Sequence, residues 1–262
     1  MRGRAYGITD LGKKRPKNED FFAMDPSIGL FIVADGLGGR MSGDKASYEA
    51  TQTFIEKLKN LIGYYNDPKL ILESAFKEAS KRAYEISNSD EYYGAMTTFT
   101  ALFLYKSKFY IVHVGDTRVY LLRANRFFVQ LTEDDTQAQI LVKKKALSPK
   151  EAEVHPSKHV LTKALGHKPL IRPKLYIGNV MNGDKFLLCS DGLYIYFSND
   201  ELKEIIKKYK PKEAIEILIK LANDRGGEDN ITAIVVEIMK SDSSIFGQIK
   251  AFLEVAFTLS NK

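Results

Sequence analysis

The sequence predicts an α+β protein, a layered sandwich of antiparallel sheets flanked by helices. Two observations carry this. Strand-like runs come in groups joined by short turns, and helix-like stretches come in pairs between those groups. The regular β-α-β alternation that marks a parallel sheet does not occur.

The elements follow in order. Apolar runs at Tyr6–Thr9, Phe21–Met24 and Leu30–Ala34 read as strands separated by turns. After Ser42, the residues Ala46, Tyr48, Ala50, Phe54, Ile55, Leu58 and Ile62 recur in a helix pattern, with Asp44 in the first turn, where the macrodipole favours an acid. Asp67-Pro68 is an N-cap followed by a proline at the first helical position. It opens a second amphipathic helix through Leu70, Ile71, Leu72, Ala75, Phe76, Ala79 and Ala83. Phe99–Tyr105, Lys108–Val114, Arg118–Arg123 and Arg126–Leu131 form an antiparallel meander with turns such as Lys106-Ser107. Residues 133 to 168 are polar and less regular. Lys185–Cys189 is a buried strand, and Ser198 or Asn199 caps a helix through Glu201–Tyr209. Pro211 opens a further helix that stops near Gly226-Gly227, and Ile231–Ile238 is the last strand.

Composition narrows the function classes. The chain has 262 residues, 44% hydrophobic and 27% charged, enough to bury a core without covalent staples. Cys189 is the only cysteine, so a disulfide framework is excluded and a reducing, cytoplasmic location is expected. The N-terminal MRGRAYGITD has no apolar core segment, so no secretory leader is expected. No run reaches the roughly 18 apolar residues of a membrane span. The net charge of +6 does not point to nucleic acid, because the lysines are scattered and the longest run is Lys143-Lys144-Lys145.

The sharper signal is where the acids fall. Leu30–Ala34 drives into Asp35 and then Gly36; Ile111–Gly115 precedes Asp116; Phe186–Ser190 precedes Asp191; and Asp229 stands just before Ile231–Val236. Each acid ends or opens a segment headed for the core. Collecting carboxylates at the edge of a core is costly unless a cation neutralises them. Oxygen donors alone argue for a hard cation, Mg²⁺ or Mn²⁺. The four histidines, His113, His155, His159 and His167, show no ligand spacing beside these acids and read as surface or packed residues. Arg15, four residues before the Glu19-Asp20 pair, suits bidentate phosphate binding. A P-loop and a Gly-x-Ser-x-Gly elbow do not occur, and Cys189 lacks the arginine of a cysteine-phosphatase loop.

Arg15-x-x-Asn18-Glu19-Asp20, Val33-Ala34-Asp35-Gly36-Leu37-Gly38-Gly39, Gly115-Asp116-Thr117-Arg118, Ser190-Asp191-Gly192-Leu193 and Asp229-Asn230-Ile231-Thr232 occur in that order. Together they resemble the bacterial type 2C metal-dependent Ser/Thr protein phosphatases. The resemblance runs from about residue 4 to 239 and includes Leu161–Gly166. It implies a four-layer α-β-β-α sandwich, two antiparallel sheets face to face with helix pairs outside. It implies a phosphoprotein phosphatase with two tight Mn²⁺ or Mg²⁺ sites and a weaker third, whose metal-bridging hydroxide attacks phosphorus directly. Asp35 would bridge the metals with help from the Gly36 carbonyl, and Asp191 and Asp229 would complete the pair. Glu19 and Asp20 would orient metal-bound waters, Asp20 the more directly. Arg15 would clamp the substrate phosphate, and Asp116 with Asp191 would hold the third metal. Substrates would be phosphorylated proteins made by a cytoplasmic Ser/Thr kinase. The alternative is a phosphatase-fold module that binds phosphoproteins with little turnover.

Departures from the family pattern are Asp135, where bacterial members often carry histidine, and Met96, which replaces a glycine before Thr97-Thr98. Leu37 stands where eukaryotic members have a histidine. The expected organisation is a catalytic domain over residues 1–240, with a flap at about 143–166, and an amphipathic helical tail over 241–262. In that tail Ile245, Ile249, Phe252, Leu253 and Ala256 share a face suited to packing on the domain, self-association or partner docking.

Overall fold

The computed structural model describes residues 2–38 and 42–240. The tail predicted over 241–262 lies outside the described residues. The chain opens with β1 (Arg2–Asp10), β2 (Phe21–Asp25), β3 (Leu30–Ala34) and the short β4 (Gly36–Leu37). Helices α1 (Gly43–Leu61) and α2 (Pro68–Ser87) follow, then β5 (Met96–Thr97), β6 (Phe99–Tyr105), β7 (Lys108–Val114), β8 (Arg118–Arg123) and β9 (Phe127–Gln130). Next come α3 (Gln137–Lys143), α4 (Pro149–Val154), β10 (Lys174–Asn179), β11 (Lys185–Cys189), α5 (Asp191–Tyr194), α6 (Asn199–Lys208), α7 (Pro211–Asp224) and β12 (Ile231–Lys240).

Two five-stranded antiparallel sheets form the centre, ordered β1-β12-β11-β8-β9 and β10-β7-β6-β3-β2. Alternation along each strand builds three apolar layers. Phe31 and Val33 of β3 meet Phe186, Leu188, Ile234 and Val236 between the sheets. Their neighbours Leu30 and Ile32 face the other way, onto Phe54, Leu58, Leu72 and Phe76 of α1 and α2. Leu187, Ala233 and Val235 turn outward in the same manner, onto Leu202, Ile206, Ile215 and Leu218 of α6 and α7. This gives the expected helix-sheet-sheet-helix stack. It also explains why antiparallel strands here read as continuous apolar runs: both faces of each sheet are covered, a pattern more usual in parallel sheets.

Local chemistry sets the helix starts. The Asp67 carboxylate accepts from the Lys69 amide at 2.9 Å, with Pro68 opening α2. Of the two cap candidates for α6, Ser198 takes the position, in a capping box with Glu201. Ser42 precedes α1 in a left-handed conformation, φ 49°, and makes no side-chain cap bond.

Three readings change. The stretch 133–168 is more regular than expected, because Thr136 and Ser148 cap the short helices α3 and α4. Strand β10 was not anticipated; it is an edge strand with no fully buried residue, so its sequence lacks the apolar run that marked the others. The strand placed at Tyr6–Thr9 extends to Arg2–Asp10, paired with β12 along its length. Among the described residues, no helix is long and apolar enough to cross a membrane.

Candidate active site

Strand register brings the acids to one end of the sandwich. Phe21 lies opposite Ala34, Phe99 opposite Val114, and Cys189 opposite both Ala233 and Arg118. Asp20, Asp35, Asp116, Asp191 and Asp229 are each within two residues of one of these strand ends or of Ile231, where β12 begins. Sequence positions spread over more than two hundred residues therefore meet at one rim.

Backbone clamps fix the acids. The Asp35 amide donates to Thr98 Oγ1 at 2.9 Å, while its carbonyl accepts from the Thr98 amide at 2.8 Å and from Thr97 Oγ1 at 3.0 Å. Asp20 Oδ2 accepts from the buried Ser190 hydroxyl at 2.8 Å, and that hydroxyl takes the Thr232 amide at 3.0 Å. Asn230 pins the arginine-bearing loop: its Oδ1 accepts from the Glu19 amide at 2.9 Å, and its Nδ2 donates to the Leu11 and Lys17 carbonyls at 3.0 Å. Gly36 is obligatory, because a Cβ there would sit 2.3 Å from the Glu19 carbonyl oxygen and 2.5 Å from the Gly43 backbone.

Burial and like charge act together on these carboxyls. Burial pushes Asp20 up to about 7, with Asp191 and Asp229 adding to it and the hydroxyls of Thr232 and Ser190 opposing. Burial also raises Asp35 well above the ordinary carboxyl range, reinforced by Asp20, Asp191, Asp116 and Asp229. Asp116 is raised the same way, by burial and then by Asp191 and Asp134, against the opposing Arg118. Asp116 is only 4% exposed. Hard oxygen donors crowded in this way fit divalent cations, which would replace mutual repulsion with coordination.

Not every anticipated residue sits as expected. Arg15 Nη2 donates to Asp229 Oδ2 at 2.7 Å, so the phosphate-clamp candidate rests at the rim of the acid cluster. Glu19 Oε1 accepts from the Gly43 amide at 2.8 Å and so supplies the N-terminal cap of α1 that Ser42 does not. His159 is exposed, as the reading of the four histidines expected, yet it stands beside the acids. Its Nδ1 lies 3.3 Å from Asp191 Oδ2, and one donor atom each from Asp116, His159 and Asp191 fall within 4.8 Å of one another. Residue spacing could not reveal this, because the chain from 144 to 166 folds back onto the rim. His113, by contrast, is a packed residue: Nδ1 pairs with Thr100 Oγ1 at 2.8 Å, and burial pushes it down to about 4.

The departures also find places. Asp135 is buried and ion-paired with Lys174 at 2.9 Å; its backbone amide donates to the Gly115 carbonyl at 2.7 Å. Met96 pairs with Leu37 in the small β4-β5 ladder. Thr97 and Leu165 exchange backbone hydrogen bonds of 3.0 and 2.8 Å, which ties the end of the 144–166 segment to β5.

Comparison with known proteins was made on this basis. Residues 13–233 match the family model described as protein phosphatase 2C. Protein phosphatase PhpP of Streptococcus pneumoniae is 31% identical over 241 residues, covering 90% of this chain and 98% of PhpP. The serine/threonine phosphatase Stp1 of Staphylococcus aureus superposes with a TM-score of 0.82 at 28% identity, covering 92% of this chain and 96% of that one. The catalytic domain of the serine/threonine protein phosphatase PstP, in complex with two manganese ions, superposes with a TM-score of 0.78 at 32% identity, covering 91% and 99%.

Proposed function

This chain belongs to the protein phosphatase 2C family, and from that premise we propose how its own residues carry the reaction. It is a metal-dependent Ser/Thr protein phosphatase, a phosphoric monoester hydrolase acting on phosphorylated proteins. The observation that carries the mechanism is the rim of five aspartates, for which Arg15 is the one lysine or arginine within ion-pair distance among the described residues.

Asp35 with the Gly36 carbonyl, Asp191 and Asp229 would hold two divalent cations, with Asp20 against them, and Asp116 with Asp191 a weaker third. Bound there, Mn²⁺ or Mg²⁺ supplies charge for the phosphoryl oxygens and a water made nucleophilic at neutral pH. Asp20 and Glu19 orient water, Asp20 the more directly, since the Glu19 carboxylate also caps α1. Arg15 is half exposed and swings between Asp229 and the phosphoryl group, where its fork matches two oxygens. Water gives up a proton to solvent and attacks phosphorus in line, the P–O bond to the serine or threonine breaks, and the leaving oxygen takes a proton from solvent. Neither Cys189 nor Ser190 is placed as a covalent nucleophile for this step: Cys189 is fully buried with its thiol pushed up by burial, and the Ser190 hydroxyl is committed to Asp20.

We place the enzyme in the cytoplasm, where a lone cysteine stays reduced and a Ser/Thr kinase would supply its substrates. The 241–262 tail would pack on its own domain, self-associate or dock a partner. The deciding experiment is hydrolysis of an aryl phosphate and a phosphothreonine peptide with and without Mn²⁺. Turnover of both that needs metal and stops with a chelator is expected. Metal-independent turnover, or phosphopeptide binding without release of phosphate, would overturn the reading.

A further inference from the structure

We propose that this phosphatase selects phosphoserine and phosphothreonine sites flanked by acidic residues, through a collar of lysines without acid partners beside the aspartate rim. The proposal rests on the metal-dependent reading above and names the substrate class of that same site.

Charge is spread unevenly along the chain. Residues 13–17 hold four cations and no acid, and residues 143–174 hold nine cations against Glu151 and Glu153 alone. The whole chain has 39 lysines and arginines and 33 acids, so outside these two stretches acids outnumber cations. Both stretches touch the rim. Arg15 meets Asp229 at 2.7 Å, and His159 meets Asp191 at 3.3 Å. Lys14 and Lys158 are the chain neighbours of these two contacts, and both are exposed.

Pairing sets these cations apart from the lysines on the helices. Lys45, Lys69, Lys212 and Lys220 each meet an acid four residues on. Within 143–174, Lys143, Lys163 and Lys174 take up Glu133 and Asp135. Lys14, Lys144, Lys145, Lys150, Lys158 and Lys168 are exposed and have no acid within ion-pair distance among the described residues. They do not neutralise the rim by contact either, since Arg15 alone among the described lysines and arginines reaches its five aspartates.

The backbone that carries the collar is anchored. The Lys13 amide donates to the Gly227 carbonyl at 2.7 Å, and the Lys17 carbonyl accepts from Asn230 Nδ2 at 3.0 Å. On either side of His159, the His155 Nδ1 accepts from the Ser157 amide at 3.2 Å and the Val160 carbonyl from the Gln137 amide at 2.8 Å. Thr162 follows, its amide donating to the Asp135 carbonyl at 2.7 Å. Little ordering of main chain is then left for a substrate to impose. In an extended peptide, the residue two positions from the phosphorylated one stands about 7 Å away, within the roughly 8–10 Å over which exposed charges act at moderate salt. Aspartate or glutamate flanks would meet cations there, and lysine or arginine flanks would meet their own sign. Attraction and repulsion thus select the same substrates.

Initial rates with Mn²⁺ test this on phosphothreonine peptides with acidic, neutral or basic flanks and on an aryl phosphate, at low and high salt. The acidic peptide should exceed the neutral one on the order of tenfold in kcat/KM at low salt, mainly through KM, with the basic peptide slowest and the differences shrinking as salt rises. Lys14→Glu combined with Lys158→Glu should erase or invert the ranking, while aryl phosphate turnover, which also reports that the variant is folded, stays within about twofold. Equal rates on the three peptides in wild type would overturn the proposal without recourse to any variant, and so would a ranking that the double variant leaves unchanged. A single-stranded oligonucleotide that inhibits more strongly than an unphosphorylated acidic peptide, with the three peptides hydrolysed alike, would give the collar to nucleic acid instead. Failure of the aryl phosphate to turn over with Mn²⁺ in wild type would overturn the phosphatase reading on which the proposal stands.

Discussion

The two ends of the sandwich bury carboxylates in opposite ways. At the end away from the acid rim, Asp184 is 0% exposed and Arg123 1%, joined at 2.6 Å. Arg123 Nε adds a second contact to Asp184 at 3.0 Å, its Nη2 also donates to the Asn179 carbonyl, and the Met181 amide donates to Asp184 at 2.8 Å. Burial pushes Asp184 up, and its guanidinium partner opposes that push. At the rim, burial pushes Asp20, Asp35 and Asp116 up, and neighbouring aspartates push the same way. Buried charge alone thus does not mark a site in this molecule. Buried charge whose protein neighbours repeat its sign does, because the missing counter-charge must come from a ligand.

The largest effect separating the two ends should be on turnover. Asp35→Asn and Asp229→Asn are each expected to lower phosphatase activity by on the order of 10²-fold or more while the circular dichroism spectrum stays that of wild type. Near-normal turnover of either variant at saturating Mn²⁺ would remove that residue from the metal site. At the other end the effect should fall on stability. Asp184→Ala removes the carboxylate partner of a buried guanidinium and should cost about 3–5 kcal/mol in chemical denaturation, with unchanged turnover per folded molecule. A cost under about 1 kcal/mol, the range of an exposed pair, would mean that water reaches Arg123.

A third difference concerns pH in the metal-stripped protein. Asp20 has an unfolded value near 3.8 and a folded value of about 7, so between these limits the folded state holds more protons than the unfolded one. Stability must then fall as pH rises across that window, and level off above it. Asp20→Asn should flatten this slope and raise the melting temperature of the metal-free protein at pH 7. Thermal melts from pH 4 to 8 in chelator check it; a wild-type midpoint that climbs steadily through the window would contradict the assigned shift. Saturating metal should abolish the slope, since coordination takes the place of the proton.

Much of this was readable in the sequence, for a local reason. Strands covered on both faces are unbroken apolar runs, so an acid that ends one, as Asp35 ends Leu30–Ala34, stands out without knowledge of the fold. The starts of helices α2 and α6 are likewise local, through Asp67-Pro68 and Ser198-x-x-Glu201. What stayed hidden depends on contacts between distant segments. Asn230 reads as a motif residue, yet its hold on Leu11, Lys17 and Glu19 spans over two hundred positions. His159 has no acid at ligand spacing and meets Asp191 only through the fold. Edge strand β10 alternates too weakly to register, with Ile177 48% exposed.

Asp135 lies between the two extremes and sharpens the comparison. It is as buried as Asp20 and Asp116, at 6%, and lies against the Gly115–Asp116 turn in space, yet it has a cation: Lys174 Nζ at 2.9 Å, with Lys163 farther off at 3.8 Å. Lys174 also donates to the Glu133 carbonyl at 2.7 Å, so it is held in place rather than trailing in solvent. If counter-charge is what distinguishes the ends, removing this lysine should convert Asp135 toward a rim acid. Lys174→Met should cost about 1–3 kcal/mol, the range for losing a charged hydrogen bond to a partly buried group, less than the fully buried Asp184 pair because Lys163 and the Gly115 amide remain. The Gly115 amide contacts Asp135 Oδ2 at 3.3 Å, so movement of Asp135 is passed to the turn that carries Asp116. A second consequence follows: the weak cation site, but not the two tight ones, should lose a few-fold in affinity by calorimetry. Equal weakening of all three sites would show that Lys174 acts through the general field of the cluster, and not through the turn beside Asp116.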